Sequence, residues 1–384
     1  ASITGSSCLD TYVKFIIGRG FANDKFCKAV INSQGMTVDA LLQEIAKDFG
    51  KFKGFALHVN YNANYRISSV SHIPFEQLRF EEMDKDGKFH RICTHPDWGK
   101  RATGLRGFNI KDRIWFNFFN PDPDVVAKEV EEEGGWLGYH GQVLYYSGDG
   151  QFVYPTPIFE AALTDMSNEE GLSNITHRNV RHNFLPAGMV IDHDQTMNSE
   201  EQKNAVEKEL LEFQGDTNAG QLMYVNVVGE QKNPEFVPFA TSNFDKDFEQ
   251  AEKKTPDIIG RAFKQPPILR GVDVGGNFGA DLMTNAYDFY NSITESERIV
   301  ISEQFKKVFS LWKDPAINSE GDYSILPKVY RVNLTLAEKL GANLDKVLEM
   351  LKDVNMSEKA KKGILIKFYG LEEDDINDLL EDLR

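Results

Sequence analysis

Two long helix-patterned stretches, separated by a segment rich in proline and glycine, constrain this chain more than any other feature. Residues 242–263 open on Ser242, a good N-cap, with Asp245 in the first turn where the helix dipole favours an acid. Pro256 lies inside this stretch. An interior proline costs roughly 3 kcal/mol, so a kink or a split is expected there. Residues 282–312 place Leu282, Ala286, Phe289, Ile293, Val300, Phe305, Val308 and Trp312 at apolar positions, and Thr294 with Glu297 can mark a break and restart. Between the two stretches, 264–280 contains Pro266, Pro267 and four glycines from Gly271 to Gly279. It reads either as a linker or as a loop that must change shape.

The rest of the chain mixes both periodicities. Residues 37–49 carry Val38, Leu41, Leu42, Ile45 and Phe49 at helical spacing behind Thr37 as N-cap. Strand-like runs follow at 54–61, 65–70 and 77–80. Asp84-Lys85-Asp86-Gly87 ahead of 88–93 reads as a hairpin turn. Residues 113–119 are aromatic and strand-like, and Asn120-Pro121-Asp122-Pro123 breaks them. A helix is expected over 157–184, interrupted by Gly171. The run 189–191 is a short strand. Residues 199–213 form a helix with a capping box, Ser199 and Gln202, and with Val206, Leu210 and Phe213 on one face. Then come a turn-rich break at 215–220, two strands at 222–228 and 236–239, and short helices around 335–341, 344–353, 357–368 and 372–382. In the last, Ile376, Leu379, Leu380 and Leu383 make an apolar stripe among seven acids. The fold class expected is α+β.

Charge narrows the chemistry. The 384 residues carry 43 Lys and Arg against 59 Asp and Glu, a net charge of −16. That opposes a general basic surface for gripping phosphates, though not a protein past which DNA must slide. Three scattered cysteines, Cys8, Cys27 and Cys93, are too few for a disulfide framework and point to a reducing compartment. The chain has neither a membrane-span-length apolar run nor a secretory signal at its front.

The candidate reactive motifs each fail on spacing. His90, Cys93 and His95, with Asp97 beyond, have the donors zinc likes. On a strand, however, 93 and 95 point one way and 90 the other, and no second ligand pair completes the set. Asp192-His193-Asp194 could be a base with its orienter, but no nucleophile motif accompanies it, and a charged turn is the plainer reading. Asp84-x-Asp86-Gly87 starts like an EF-hand loop, yet the twelfth position would be Cys93 instead of a bidentate Glu. The glycines of 271–279 lack the ending of a P-loop and the strand and spacing of a dinucleotide fingerprint. No catalytic residue, metal site or cofactor is therefore assigned.

From residue 152 to 312 the order of features resembles the core of portal proteins of tailed bacteriophages. It runs through Tyr154-Pro155-Thr156-Pro157, a helix, NVRHNFLPAGMVI at 179–191, a capped helix, a glycine turn, a strand pair and the second helix. It ends on Ile259-Gly260-Arg261-Ala262-Phe263-Lys264-Gln265-Pro266-Pro267, where the family commonly reads Ile-Ala-x-x-Phe-x-x-Pro-Pro. ALLQEIAKDFGKFKGFALHVNYN at 40–62, leading to HIPFEQLRF at 72–80, is similar to the family's wing. The resemblance covers about 300 residues.

It implies a wing at 1–155, a first stem helix at 156–184, a clip at 185–240, a second stem helix at 241–263, a tunnel loop at 264–280, and a spine helix and crown at 281–384. The segment that family members often carry before the wing is expected to be absent. The implied function is a homo-oligomeric ring, usually of twelve copies, at one capsid vertex. Double-stranded DNA passes through it without sequence specificity during packaging and ejection. The terminase large subunit, the major capsid protein and a head-completion or tail adaptor are the implied partners, the virion is the place, and assembly is in the host cytoplasm. The expected DNA-facing residues are Lys264, Gln265, Arg270, Asp273, Gly275, Gly276 and Asn277. The expected docking residues of the clip are Asp192, His193, Asp194, Glu207 and Glu209. The alternatives are a capsid or connector protein without a channel, and a metal-dependent nucleic-acid-processing enzyme.

Overall fold

In the computed structural model, the residues described are 2–96, 98, 112–149, 153–181, 188–192, 222–226, 235–238, 244–272, 280–312, 317–318, 321–330, 347, 351, 357 and 361–365. The chain divides into two compact units, 1–329 and 330–384. In the second, Val347, Leu351 and Leu365 are buried, and Lys361 Nζ donates to the Leu351 carbonyl at 2.6 Å.

The first unit is α+β, as expected. Helix α1 (Ile3–Ile17), the short α2 (Asp24–Lys28) and α3 (Val38–Phe52) precede a mixed six-stranded sheet. Its strands are β1 (Gly54–Tyr61), β2 (Ile67–His72), β3 (Leu78–Phe80), β4 (Arg91–Thr94), β5 (Ile114–Phe118) and β6 (Gln142–Ser147), in the order β2-β1-β6-β5-β4-β3. Only β5 and β6 run parallel. The crossover between them holds α4 (Pro123–Glu132), as a parallel connection requires.

Local chemistry explains the boundaries. Thr37 accepts from Ala40 N–H and starts α3, whose Val38, Leu41, Leu42, Ile45 and Phe49 are buried on the face its spacing calls for. Asp84 Oδ1 accepts from the Asp86 and Lys88 amides and closes the β3–β4 hairpin. That turn, the start of the rejected EF-hand pattern, uses its aspartate on its own backbone. The strand breaks before residues 120–123, as expected, and the same residues start a helix: Asp122 caps α4 and Pro123 occupies its first position, where a missing N–H costs nothing.

Strand β1 is buried on both faces, which is why it reads as a nearly unbroken apolar run. Phe55, Leu57 and Val59 face a large core shared with α1, α3 and the later helices. Ala56 faces a smaller core with Phe75, Leu78, Ile92, Phe116 and Val143. In the large core, Phe15 meets Tyr290 with ring centres 4.8 Å apart, Phe21 meets Phe305 at 5.0 Å and Phe26 meets Phe309 at 5.3 Å. Opposite Val59 on β6, the fully buried Gln142 amide accepts from Tyr61 Oη at 2.5 Å and donates to Glu129 at 2.8 Å, so its polar ends are satisfied.

The later helices are α5 (Leu163–Arg181), α6 (Phe244–Ala262), α7 (Ala280–Ile293) and α8 (Glu295–Phe309). The break between the last two falls at Thr294, where the spacing put it. Buried Arg298 seals that break. Its guanidinium donates to the Asn291 carbonyl at 2.7 Å, to Thr294 Oγ1 at 2.8 Å and to the Phe15 carbonyl of α1 at 3.0 Å. Residues 321–327 then fold back onto the chain start: Arg19 N–H reaches the Leu326 carbonyl at 2.9 Å and Leu326 N–H the Gly20 carbonyl at 2.9 Å. Gly18, at φ 60°, is obligatory here, because a Cβ would sit 2.0 Å from the Leu326 oxygen.

Candidate functional site

Helices α5 and α6 pack against each other, and the chain between them forms a separate three-stranded sheet. Its strands are β7 (Gly188–Asp192), β8 (Leu222–Asn226) and β9 (Glu235–Pro238), in the order β8-β7-β9, with β7–β8 parallel and β7–β9 antiparallel. The three strands lie where the sequence places them. The capped helix expected at 199–213 falls outside the described residues. So do His193, Asp194, Glu207 and Glu209; Asp192 ends β7.

Both helices are rooted in the core at one end. At the α5 root, Ala162 is buried and Phe159 stacks on Phe263 at 5.3 Å. Glu169 reaches the start of α1, accepting from the Thr4 hydroxyl at 2.6 Å, from Thr4 N–H at 3.2 Å and from the Ser2 hydroxyl. An acid at a helix N-terminus satisfies orphan donors and complements the dipole. Further along, Ser173, Asn174, Thr176 and His177 are exposed. Helix α6 mirrors this. Glu249, Gln250, Glu252, Lys253 and Lys254 are exposed, whereas Thr255, Ile259, Gly260 and Phe263 are buried. The pair thus leaves the core at residues 163–169 and 255–263 and runs toward the sheet with polar flanks. Gly171 and Pro256 do not split their helices: α5 and α6 each continue through them for 19 residues.

The segment after α6 departs from the sequence expectation. Lys264 is exposed and turns the chain at φ 52°. Gln265 and Arg270, expected to face DNA, are buried. Gln265 N–H closes onto the Gly260 carbonyl at 3.0 Å. Arg270 points back onto α6, donating to the Pro256 carbonyl and to Asp257 Oδ1, each at 2.8 Å. Its salt bridge holds the Asp257 carboxyl below the usual carboxylate range, through the hydrogen bond first and the charge second. The reason is room and charge: glycine at 260 leaves space for the guanidinium, and Asp257 supplies the counter-charge. Asp273, Gly275, Gly276 and Asn277 lie outside the described residues.

The remaining candidates are placed as follows. His90 Nε2 is 2.6 Å from Asp84 Oδ2 at the hairpin turn, and Cys93 is buried in β4. His95 is buried with its ring 5.5 Å from that of Trp98. Among the described residues no three His, Cys, Asp or Glu side chains gather to hold a metal ion. Cys8, Cys27 and Cys93 are free thiols. Burial pushes Cys8 up to about 11 and raises the other two, which keeps them protonated at neutral pH. Sequence reasoning missed a cationic aromatic group on the sheet. Arg91 and Arg113 lie over the Trp115 ring at 5.5 and 5.2 Å, and Arg79 lies over Trp98 and Tyr154. Arg113-x-Trp115, at the i, i+2 spacing that shares a face in the strand-like run read at 113–119, was the available signal.

The chain is similar to solved neck and portal structures. With the neck of a native gene transfer agent particle computed with C12 symmetry, it shares 14% identity at a TM-score of 0.48, over 94% of this chain and 89% of that one. With a chain of the virion of the native particle, the values are 14% and 0.47, over 96% and 90%. With an HK97-family phage portal protein from Corynebacterium diphtheriae, they are 10% and 0.41, over 83% and 89%. No family model and no curated protein sequence matches the chain.

Proposed function

We propose that this chain is the ring-forming portal subunit of a tailed phage or phage-like particle, a structural protein and not an enzyme. The observation that carries this reading is the rooted helix pair. Two 19-residue helices, exposed at 173–174, 176–177, 249–250 and 252–254 among the described residues, bear a small sheet between them and are followed by a packed turn and the α7–α8 pair. Such polar flanks gain little from a monomer's own core, but they suit a contact repeated around an axis. A heterologous contact with a fixed rotation closes into a ring.

On this reading 1–155 is the wing, 156–184 and 241–263 are the stem, 185–240 is the clip, 264–280 is the tunnel loop, and 281–384 forms spine and crown. The whole-chain net charge of −16 agrees with a channel that does not hold phosphate. Lys264, with Asp273, Gly275, Gly276 and Asn277, takes the DNA-facing role. Asp192, His193, Asp194, Glu207 and Glu209 present the acidic face to which the terminase large subunit docks, tuning mainly its on-rate. The major capsid protein and an adaptor complete the vertex of the virion.

Native mass measurement and negative-stain images of the purified chain test the reading. A closed ring with a central hole is expected. Monomer or dimer alone at micromolar concentration overturns it.

A further inference from the structure

The end of α6 and the turn after it, Pro267–Arg270, are joined across space by one side chain. Arg270 keeps only 8% of its side chain exposed, unusual for an arginine between a helix and a glycine-rich segment. Its two guanidinium nitrogens reach both acceptors of the proline step, the Pro256 carbonyl and Asp257 Oδ1. The approach depends on residue 260: a Cβ there would fall 2.5 Å from Arg270 Cζ. The family motif carries alanine at this place, so glycine is a departure of this chain that the geometry uses.

We infer that Arg270 is a positioning residue, a latch that makes the last two turns of α6 and residues 264–270 one rigid body. That body ends at Gly271. Supporting bonds converge on the same body. Lys264 N–H reaches the Arg261 carbonyl at 2.9 Å and Gln265 N–H the Gly260 carbonyl at 3.0 Å. Tyr290 Oη of α7 donates to the Phe263 carbonyl at 3.1 Å, and Ile268 is buried. At Gly271 the character changes: φ is 74°, a Cβ would meet nothing within 4 Å, and Val272 is exposed. Arg270 Nε is buried without an acceptor, so the closed latch carries an unpaired donor and is held by two bonds only. A bend of α6 at Pro256 would then turn the exit of the following segment with it.

The latch stands apart from the portal reading; its effect on a channel rests on that reading. Amide hydrogen exchange of the full-length chain separates the two. Arg270→Met removes both bonds. Gly260→Ala displaces the guanidinium and leaves every charge in place. Both variants should raise exchange in 264–272 by about tenfold or more, the effect of losing charge-assisted bonds, while peptides of α1, α3 and β1 stay unchanged. Arg270→Lys should restore part of the protection through a single acceptor. Unchanged exchange in both variants, or a rise spread evenly over α7 and α8, overturns the latch. A protected 264–272 in a chain that forms no ring would sink the portal reading and leave the latch standing.

Discussion

Asp257 accepts from two arginines at once, Arg270 on Oδ1 and Arg261 on Oδ2 at 2.8 and 3.2 Å, and only the first of them is buried. The direction of its titration follows. Its carboxyl is held below its ordinary value in the folded chain, so its contribution is fully present above the unfolded value, near pH 4. The contribution is lost as pH falls through the lower folded value. Thermal scans of the native chain and of Asp257→Asn should therefore differ by a constant amount from pH 8 to 5 and converge below pH 4. A difference that already closes between pH 7 and 5 would assign the effect to another group. Burial lowers the ordinary value of His58, which lies 2.7 Å from the His140 carbonyl.

At the scale of elements, α6 carries an avoidable cost. Pro256 cannot donate to the turn before it, yet the helix runs on through it. Pro256→Ala restores the missing bond and should stabilise the chain by about 2 kcal/mol, after allowing for the unfolded-state freedom that proline removes. Urea denaturation reads this directly; a loss of stability would show that the proline fits α6 better than its missing donor implies. The same helix shows what the residues alone make legible. Local signals placed α3 through Thr37, the β3–β4 hairpin through Asp84, and the Thr294 break between α7 and α8, because each is decided within a few residues. Sequence reasoning misses α1, whose ITGSSC start has weak helix formers. Its Ser2 and Thr4 meet Glu169, and its buried face is fixed by distant partners such as Tyr290 and Arg298. It misses β6 as well, whose parallel pairing with β5 is non-local. At the site, the strands of the small sheet were readable from their apolar runs. The burial of Arg270 was not, since it depends on the space left by a glycine ten residues earlier and one helix away.

For the molecule as a whole, the buried residues that build the two hydrophobic cores lie at 8–144 and 259–325. Replacing 185–240 by a short flexible linker that joins α5 to α6 should leave a folded body. Its melting temperature should lie within a few degrees of the native one, and binding to the packaging motor should be gone. Calorimetry and a pull-down with the motor protein check the two halves separately. A body that no longer folds would show that the small sheet is part of the core's support.

The clasp between the start of the chain and residues 321–327 sets an order in time. Arg19 Nε meets the Pro327 carbonyl 308 positions downstream, and Arg298 meets Phe15 across 283. A ribosome adding roughly 5–20 residues per second needs roughly 15–60 s to bring those partners out. Throughout that interval the apolar side of α1 has no α7 or α8 to cover it, whereas β7–β9, closed within about fifty residues, can pair as they emerge. The element borne between the helices is thus finished before the body that bears it, and a nascent chain needs shelter for its first helix, not for its sheet.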